Sequence, residues 1–315
     1  MTEPVRVAEV IEETPDARSL VLDADFSYEP GQFVTFRLPN GLERCYSLSS
    51  SPYTGEKPTV TVKRMPGGEC SGWMCSAVVA GTVLDARPPA GVFTPSSLDR
   101  DLVLFAGGSG ITPVMSIVKS VLAAGSGRLA LFYANRDPSS VIFADELRRL
   151  AFEHPDRLQV THWLECLQGI PSVAQLAVWA APFSRREAFV CGPGPFMDAV
   201  VSVLPSARVE RFDVFQETIA DTGSSSTVEV SLDGSRRRLA WPSHRRLLDV
   251  LLDNGLDAPY SCRQGQCSAC ACRIVRGEVR LLHNEVLDDE DLAEGYALAC
   301  QALPVTDEVE ITYED

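Results

Sequence analysis

Along the first hundred positions, apolar and polar residues alternate in short runs broken by Gly and Pro: GQFVTFRLP, RCYSLSSSP, PTVTVKR and GTVLDARPP. Period-two runs with such punctuation predict short antiparallel strands, and their regular spacing predicts a small barrel. From about residue 101 the period changes. DLVLFAGGSGITPVMSIVKSVLAAG reads as a buried apolar strand, a glycine turn and a helix with Pro113 near its start. RLALFYANR, LQVTHWL and EAFVCGPGP are further strands alternating with helical stretches, which predicts a doubly wound α/β domain. QETIADTGSSS, residues 216–226, has no apolar period and reads as a linker. Beyond it, TVEVSLDGSRRRLAW alternates like a hairpin turning at Asp233-Gly234. RRLLDVLLDNGL then carries leucines at helical spacing, with a stop at Asn254-Gly255. The expected organisation is an antiparallel barrel over 1–99, an α/β domain over 100–215, the linker at 216–226 and a third module over 227–315.

Composition bounds the function. A chain of 315 residues with 45% hydrophobic and 23% charged residues suits a soluble protein of two or three domains. No apolar run approaches the roughly 18 residues of a membrane span, and MTEPVRVAEV lacks the apolar core of a signal peptide. The net charge of −15 argues against nucleic acid as a partner. Over half of it falls on residues 227–315, which hold nine arginines, no lysine and 17 acids. Scattered cysteines at 45, 70, 75, 166 and 191 suit a reducing compartment, so a cytoplasmic location is expected.

The third module also holds SCRQGQCSACACRI. Cys262, Cys267 and Cys270 stand as C-x4-C-x2-C, the spacing of the first three ligands in a plant-type [2Fe–2S] loop. The fourth ligand must come from further along, and Cys300 is the only later cysteine. Gly265, Ser268 and Ala269 are small enough for a loop wrapped closely around a cluster. Zinc is the weaker reading, because the nearest histidine, His283, has no partner at ligand spacing. A C-x-x-C redox motif would leave Cys262 and Cys300 without a role. Cys272 reads as a small buried hydrophobe on the following strand. A hairpin, a helix and a cysteine loop together suggest a β-grasp ferredoxin module.

Upstream, GGSGITP (107–113) follows a buried strand and opens a helix, where an open α/β sheet binds nucleotides. A mere tight turn is the alternative. VCGPGPFM (190–197) repeats the same grammar, which makes two loops on one rim of the sheet. Its Cys191 is either core or in touch with substrate. In ERCYSLSSSP, Arg44 offers a fork for phosphate, Tyr46 a face for a flat ring and Ser47 a hydroxyl for a ring nitrogen. GGECSGWM (67–74) puts glycines and a serine at the start of a helix, again suited to a pyrophosphate. The histidines at 154, 162, 244 and 283 are scattered, so neither zinc hydrolysis nor a Ser-His-Asp triad has support. SIVK (116–119) matches S-x-x-K by chance, inside the helix after the glycine turn.

R-x-Y-S, G-x-x-S before a helix, G-G-S-G-I-T-P, C-G-P-G-P and the cysteine loop, in this order, resemble the ferredoxin-NADP reductase superfamily over nearly the whole chain. More narrowly, the chain resembles three-part oxygenase reductases with flavin, nicotinamide and C-terminal ferredoxin modules. RCYSLSSSPY, TVTVKR, YANRDPSSVIFADEL and HWLE are most similar to the reductases of 3-ketosteroid 9α-hydroxylases, and phenylacetyl-CoA epoxidase reductases share much of this pattern. The resemblance implies electron transfer from NADH through FAD to a [2Fe–2S] cluster and on to a separate Rieske-type oxygenase. Phthalate-type reductases share the domain order but use FMN; the R-x-Y-S and G-x-x-S pair suits the pyrophosphate of FAD. By this resemblance Arg44, Tyr46 and Ser47 would hold the flavin, and Val62, Lys63 and Arg64 would run beside it. Gly68, Cys70 and Ser71 would cradle its pyrophosphate. Gly108, Gly110, Thr112 and Pro113 would seat the nicotinamide half, with Asn135 and Arg136 near the adenosine ribose. Cys191 and Gly192 would lie near the hydride path, with Ser47 and Cys191 as the catalytic pair. Phe215 would cover the flavin, although Asp213 stands where relatives often have glutamate. Arg136 beside a ribose would also suit the 2′-phosphate of NADPH. The expected state is a monomer without membrane partners.

Overall fold

The alternating first hundred residues form six strands in a computed structural model that describes residues 2–39, 43–212, 223–260, 263, 265, 268–284 and 286–314. These are β1 (Glu3–Thr14), β2 (Ala17–Asp23), β3 (Phe33–Arg37), β4 (Glu43–Ser47), β5 (Thr59–Lys63) and, after helix α1 (Glu69–Ser76), β6 (Val83–Ala86). They pair antiparallel in the order β4-β3-β6-β1-β2-β5. A bridge between Leu48 and Val60 links the end of β4 to β5, so the sheet closes on itself. Inward positions such as Val7, Leu20, Leu22, Val34, Phe36 and Val60 fill the barrel, as the period of two requires.

The period change at residue 101 marks five parallel strands in the order β11-β10-β7-β8-β9. In chain order they are β7 (Leu102–Gly107), α2 (Ile111–Ala124), β8 (Leu129–Asn135), α3 (Ala144–Glu153) and β9 (Leu158–Leu164). There follow α4 (Glu165–Gln168), α5 (Val173–Ala180), β10 (Glu187–Cys191), α6 (Gly194–Val203) and β11 (Arg208–Glu210). Every residue of β7 and β8 is buried. That follows from helices on both faces: α2 and α3 pack with one apolar layer, α5 and α6 with the other.

Helix α2 also carries the join to the barrel. Its Ser116 hydroxyl donates to the Ser50 carbonyl at 2.6 Å, and the Ser120 and Ser51 hydroxyls lie 2.8 Å apart. Lys119 pairs with Glu56 at 3.1 Å and Glu146 at 2.9 Å. The S-x-x-K residues are thus structural.

Chain contacts divide the protein into Met1–Phe212 and Asp213–Asp315. The second unit contains β12 (Ser225–Leu232), β13 (Ser235–Pro242), α7 (Leu247–Asp253), β14 (Ala271–Arg276), β15 (Val279–Leu281), α8 (Asp289–Ala293), β16 (Tyr296–Leu298), β17 (Ala302–Pro304) and β18 (Glu308–Thr312). Its main sheet runs β13-β12-β18-β14-β16, with β12 and β18 parallel and the other neighbours antiparallel. The hairpin turns where expected, with Asp233 and Gly234 both at positive φ, 51° and 72°. One boundary needs correction: Ser225 and Ser226 pair with Pro242 and Trp241, so the last two residues of the expected linker belong to β12. Their polar side chains hid this, because ladder bonds use the backbone and are indifferent to side-chain polarity. Of the rest of the expected linker, 216–222 lie outside the described residues, and the Ser224 carbonyl accepts from the Ser243 amide at 3.0 Å. No helix among the described residues is long and apolar enough to cross a membrane.

Candidate functional site

Strands β4 and β5 meet at the barrel closure and bring the first group of expected residues together. Tyr46 is half-buried, its ring 6.2 Å from that of Phe36, and burial pushes its phenol pKa up. Arg44 is exposed, with Nη1 donating to the Glu43 carbonyl at 2.7 Å. Ser47 is buried, and its hydroxyl donates to Glu210 Oε1 at 2.7 Å. Glu210 is itself only 6% exposed, at the end of β11. Val62 and Lys63 close β5, and Arg64 reaches the Cys75 carbonyl at 3.3 Å. Lys63 Nζ lies 3.8 Å from Asp16 Oδ2, which also accepts from Arg136 at 3.2 Å. A single carboxylate of the barrel therefore holds a cation from each side of the cleft.

Gly68 precedes α1, and Cys70 and Ser71 sit in its first turn. The Ser71 hydroxyl accepts from the Met65 amide at 3.0 Å and closes this turn. A Cβ at Gly68 would come within 2.6 Å of that oxygen, so a larger residue there would disturb the Ser71 hydroxyl. Burial raises the Cys70 thiol pKa.

The glycine turn after β7 is a short 3₁₀ segment, Gly108–Gly110, running into α2. Gly108 has φ +53°, and a Cβ there would lie 3.7 Å from Lys63 Nζ. The barrel strand and the turn therefore face each other across one cleft. At Gly110 a Cβ would stand 2.1 Å from the Cys191 carbonyl oxygen, and at Gly192 one would stand 2.9 Å from Gly107 Cα. These glycines let the ends of β7 and β10 press together. Thr112 donates to the Ser109 carbonyl at 3.1 Å, and Pro113 occupies the first turn of α2, where its missing N–H costs nothing.

Cys191 is fully buried beneath this rim, and burial, reinforced by the Glu210 carboxylate, keeps its thiol protonated. Asn135, at the end of β8, is 3% exposed, and neither polar atom of its side chain makes a well-formed hydrogen bond among the described residues. The Tyr133 hydroxyl donates to the Gly108 and Ile142 carbonyls and also lies against the Asn135 side chain, whose hydrogen bond lowers the phenol pKa against the larger upward push of burial. A buried amide with no well-formed hydrogen bond is expensive, so its place at a strand's carboxyl end fits a rim that receives a polar ligand. An aromatic face, a buried hydroxyl and cations at 44, 63 and 64 on the barrel side fit a flavin nucleotide.

In the second unit Cys270 and Cys300 are both 2% exposed, and the Cys300 amide donates to Cys270 Sγ at 3.5 Å. Arg263, Gly265 and Ser268 all have positive φ, at 57°, 79° and 52°. Two non-glycine residues in that region mark a loop shaped by something other than local preference. A Cβ at Gly265 would stand 2.7 Å from the His283 carbonyl oxygen. A buried thiol accepting from the backbone amide of a second buried cysteine fits a pair of thiolate ligands of an iron–sulfur cluster. Cys262 and Cys267 lie outside the described residues, as do Asp213 and Phe215. Cys272 sits on β14 at 2% exposure, with its thiol pKa pushed up to about 12 by burial. That is core placement.

Reading the sequence alone missed Glu210, Asp16 and Gln301, the last a buried neighbour of Cys300. Each is a polar residue whose partner lies far away along the chain, and periodicity does not report such pairs.

A closed barrel joined to a doubly wound rim, with a separate unit that buries Cys270 beside Cys300, is the arrangement of a nicotinamide-linked iron–sulfur oxidoreductase. Residues 104–202 match the oxidoreductase NAD-binding domain family, and residues 230–305 match the 2Fe-2S iron-sulfur cluster binding domain family. The chain belongs to the family of 3-ketosteroid-9-alpha-monooxygenase ferredoxin reductase components. It is 48% identical to the one from Rhodococcus rhodochrous, over 98% of this chain and 95% of that protein. It is 49% identical to the one from Mycolicibacterium smegmatis, over 99% and 97%. The alternative that the sequence left open is more distant: a component of the 1,2-phenylacetyl-CoA epoxidase of Escherichia coli is 31% identical over 98% and 96%. Among solved structures, phthalate dioxygenase reductase shares the fold with a TM-score of 0.66 and 24% identity, over 99% of this chain and 98% of that one.

Proposed function

We propose that this reductase draws electrons from NADH through FAD to its [2Fe–2S] cluster and delivers them to a separate Rieske-type oxygenase acting on a 3-ketosteroid. The observation that carries the reading is the approach of Lys63 to Gly108, which sets the flavin-type strand of the barrel against the nucleotide-type turn. Bound FAD would supply the one chemistry the side chains lack, accepting two electrons as hydride and releasing them singly. The chain's own part is placement. Arg44, Tyr46, Ser47, Val62, Lys63 and Arg64 would hold the flavin, with Gly68, Cys70 and Ser71 at its pyrophosphate. Gly108, Gly110, Thr112, Pro113, Asn135, Arg136 and Gly192 would line the NADH seat. Ser47, its proton directed to Glu210, and the buried Cys191 would stand nearest the hydride path. Cys262, Cys267, Cys270 and Cys300 would ligate the cluster. The names of the relatives support the steroid substrate and the separate oxygenase, and the scattered free thiols suit a reducing, cytoplasmic compartment. Chromatography of the denatured supernatant should show FAD, and FMN there would overturn the flavin assignment. Steady-state kinetics should favour NADH over NADPH; a clear NADPH preference abolished in Arg136→Ala would reverse the donor.

A further inference from the structure

The residue after Cys300 is a glutamine with its head group in the interior. Gln301 is 1% exposed, in the turn between β16 and β17. Its backbone is fixed on both sides: the amide donates to the Leu298 carbonyl at 2.8 Å, and the carbonyl accepts from Leu282 at 2.9 Å. The backbone thus fixes where the side chain starts, and its burial confines where it can go. Nε2 donates to the Arg263 carbonyl at 2.8 Å and lies 3.5 Å from Cys300 Sγ. The amide stem also packs beneath the loop, because a Cβ added at Gly265 would stand 3.2 Å from Gln301 Cγ.

This amide has a task, on two grounds. Oε1 is buried without a partner among the described residues, so an apolar side chain would fill the volume at lower cost. The orientation of the amide is also forced. A flipped amide would turn its oxygen towards a carbonyl oxygen and a sulfur, both acceptors, whereas the NH₂ group satisfies both. One end of the contact is a loop residue at φ +57°, the other a thiol proposed as a ligand.

We propose that Gln301 is a positioning residue of the iron–sulfur site: its NH₂ group pins the backbone at Arg263, a residue at positive φ, and donates to the sulfur of Cys300. The inference rests on the reading of Cys300 as a ligand. An N–H directed at a ligand sulfur stabilises negative charge there and favours the reduced, more negative cluster. The amide therefore raises the cluster's reduction potential while it holds the loop.

The test uses the full-length holoenzyme with Q301M, which keeps the reach and loses the donor, and Q301E, which replaces the NH₂ group with an acceptor. Iron is counted per chain, and the cluster midpoint is read by an EPR-monitored redox titration. Loaded Q301M should titrate at a more negative midpoint than wild type, and loaded Q301E more negative still. A wild-type midpoint in either loaded variant overturns the proposal. If a variant does not load after anaerobic reconstitution with iron and sulfide, thermal melts of the cluster-free proteins decide. A cluster-free variant that melts with cluster-free wild type supports the pinning role, whereas a collapsed melt means a core packing role and overturns it. Failure of the underlying reading shows separately, as full iron content in Cys300→Ser.

Discussion

Ser47 and Glu210 lie 163 positions apart in sequence and 2.7 Å apart in space. A hydroxyl and a carboxylate buried together are stable only as a pair, and removing one partner leaves the other without its bond. Glu210→Leu should therefore lower stability by about 1–3 kcal/mol, read by thermal denaturation, and Glu210→Gln, which keeps an acceptor, should cost less. Equal losses in both would remove the hydrogen bond from the account. The cysteines give a sharper expectation. Serine at 270 or 300 should abolish the visible absorbance of the cluster, while Cys272→Ser should keep it, since Cys272 packs on β14. Loss in Cys272→Ser with retention in Cys270→Ser would overturn the ligand assignment. The iron–sulfur module was legible because cluster ligands carried on one loop need short, fixed spacings, and residues 230–305 match that domain family. Glu210, Asp16 and Gln301 were not, because their partners are set by tertiary contact.

At the scale of elements, the fully buried strands β7 and β8 were readable as continuous apolar runs, and the hairpin at Asp233-Gly234 as a turn signal. What could not be read is why the glycines are where they are. GGSGITP suggested approach of a ligand, yet Gly110 and Gly192 also serve the approach of β7 to β10. Gly110→Ala should accordingly destabilise the protein itself, by roughly 1–3 kcal/mol, since a Cβ at 2.1 Å from a carbonyl oxygen forces α2 and β10 apart. A melt unchanged by this substitution, with only NADH binding weakened, would give the glycine back to the ligand alone. The acidic run 288–291 reads differently once placed. Asp288 caps α8, accepting from the Glu290 and Asp291 amides at 2.9 Å, so these acids sit where the helix dipole favours them.

For the whole molecule, the division after Phe212 leads to the expectation that residues 1–216 alone still oxidise NADH with ferricyanide but cannot reduce a one-electron protein acceptor. An inactive, flavin-free fragment would count against that boundary. The 227–315 module, with nine arginines against 17 acids, carries −8, which suits attraction to a basic surface on the oxygenase. Turnover coupled to the oxygenase should then fall with added salt, which screens charges beyond about 10 Å at 0.1 M, while ferricyanide reduction changes little. Equal responses would leave the acids as surface only. The central claim is the route of the electrons, and anaerobic stopped-flow mixing of the holoenzyme with NADH tests it most directly. Flavin absorbance should bleach first and cluster absorbance second, and Cys300→Ser should show the first phase without the second. Cluster reduction that precedes flavin bleaching, or that survives in Cys300→Ser, would contradict it.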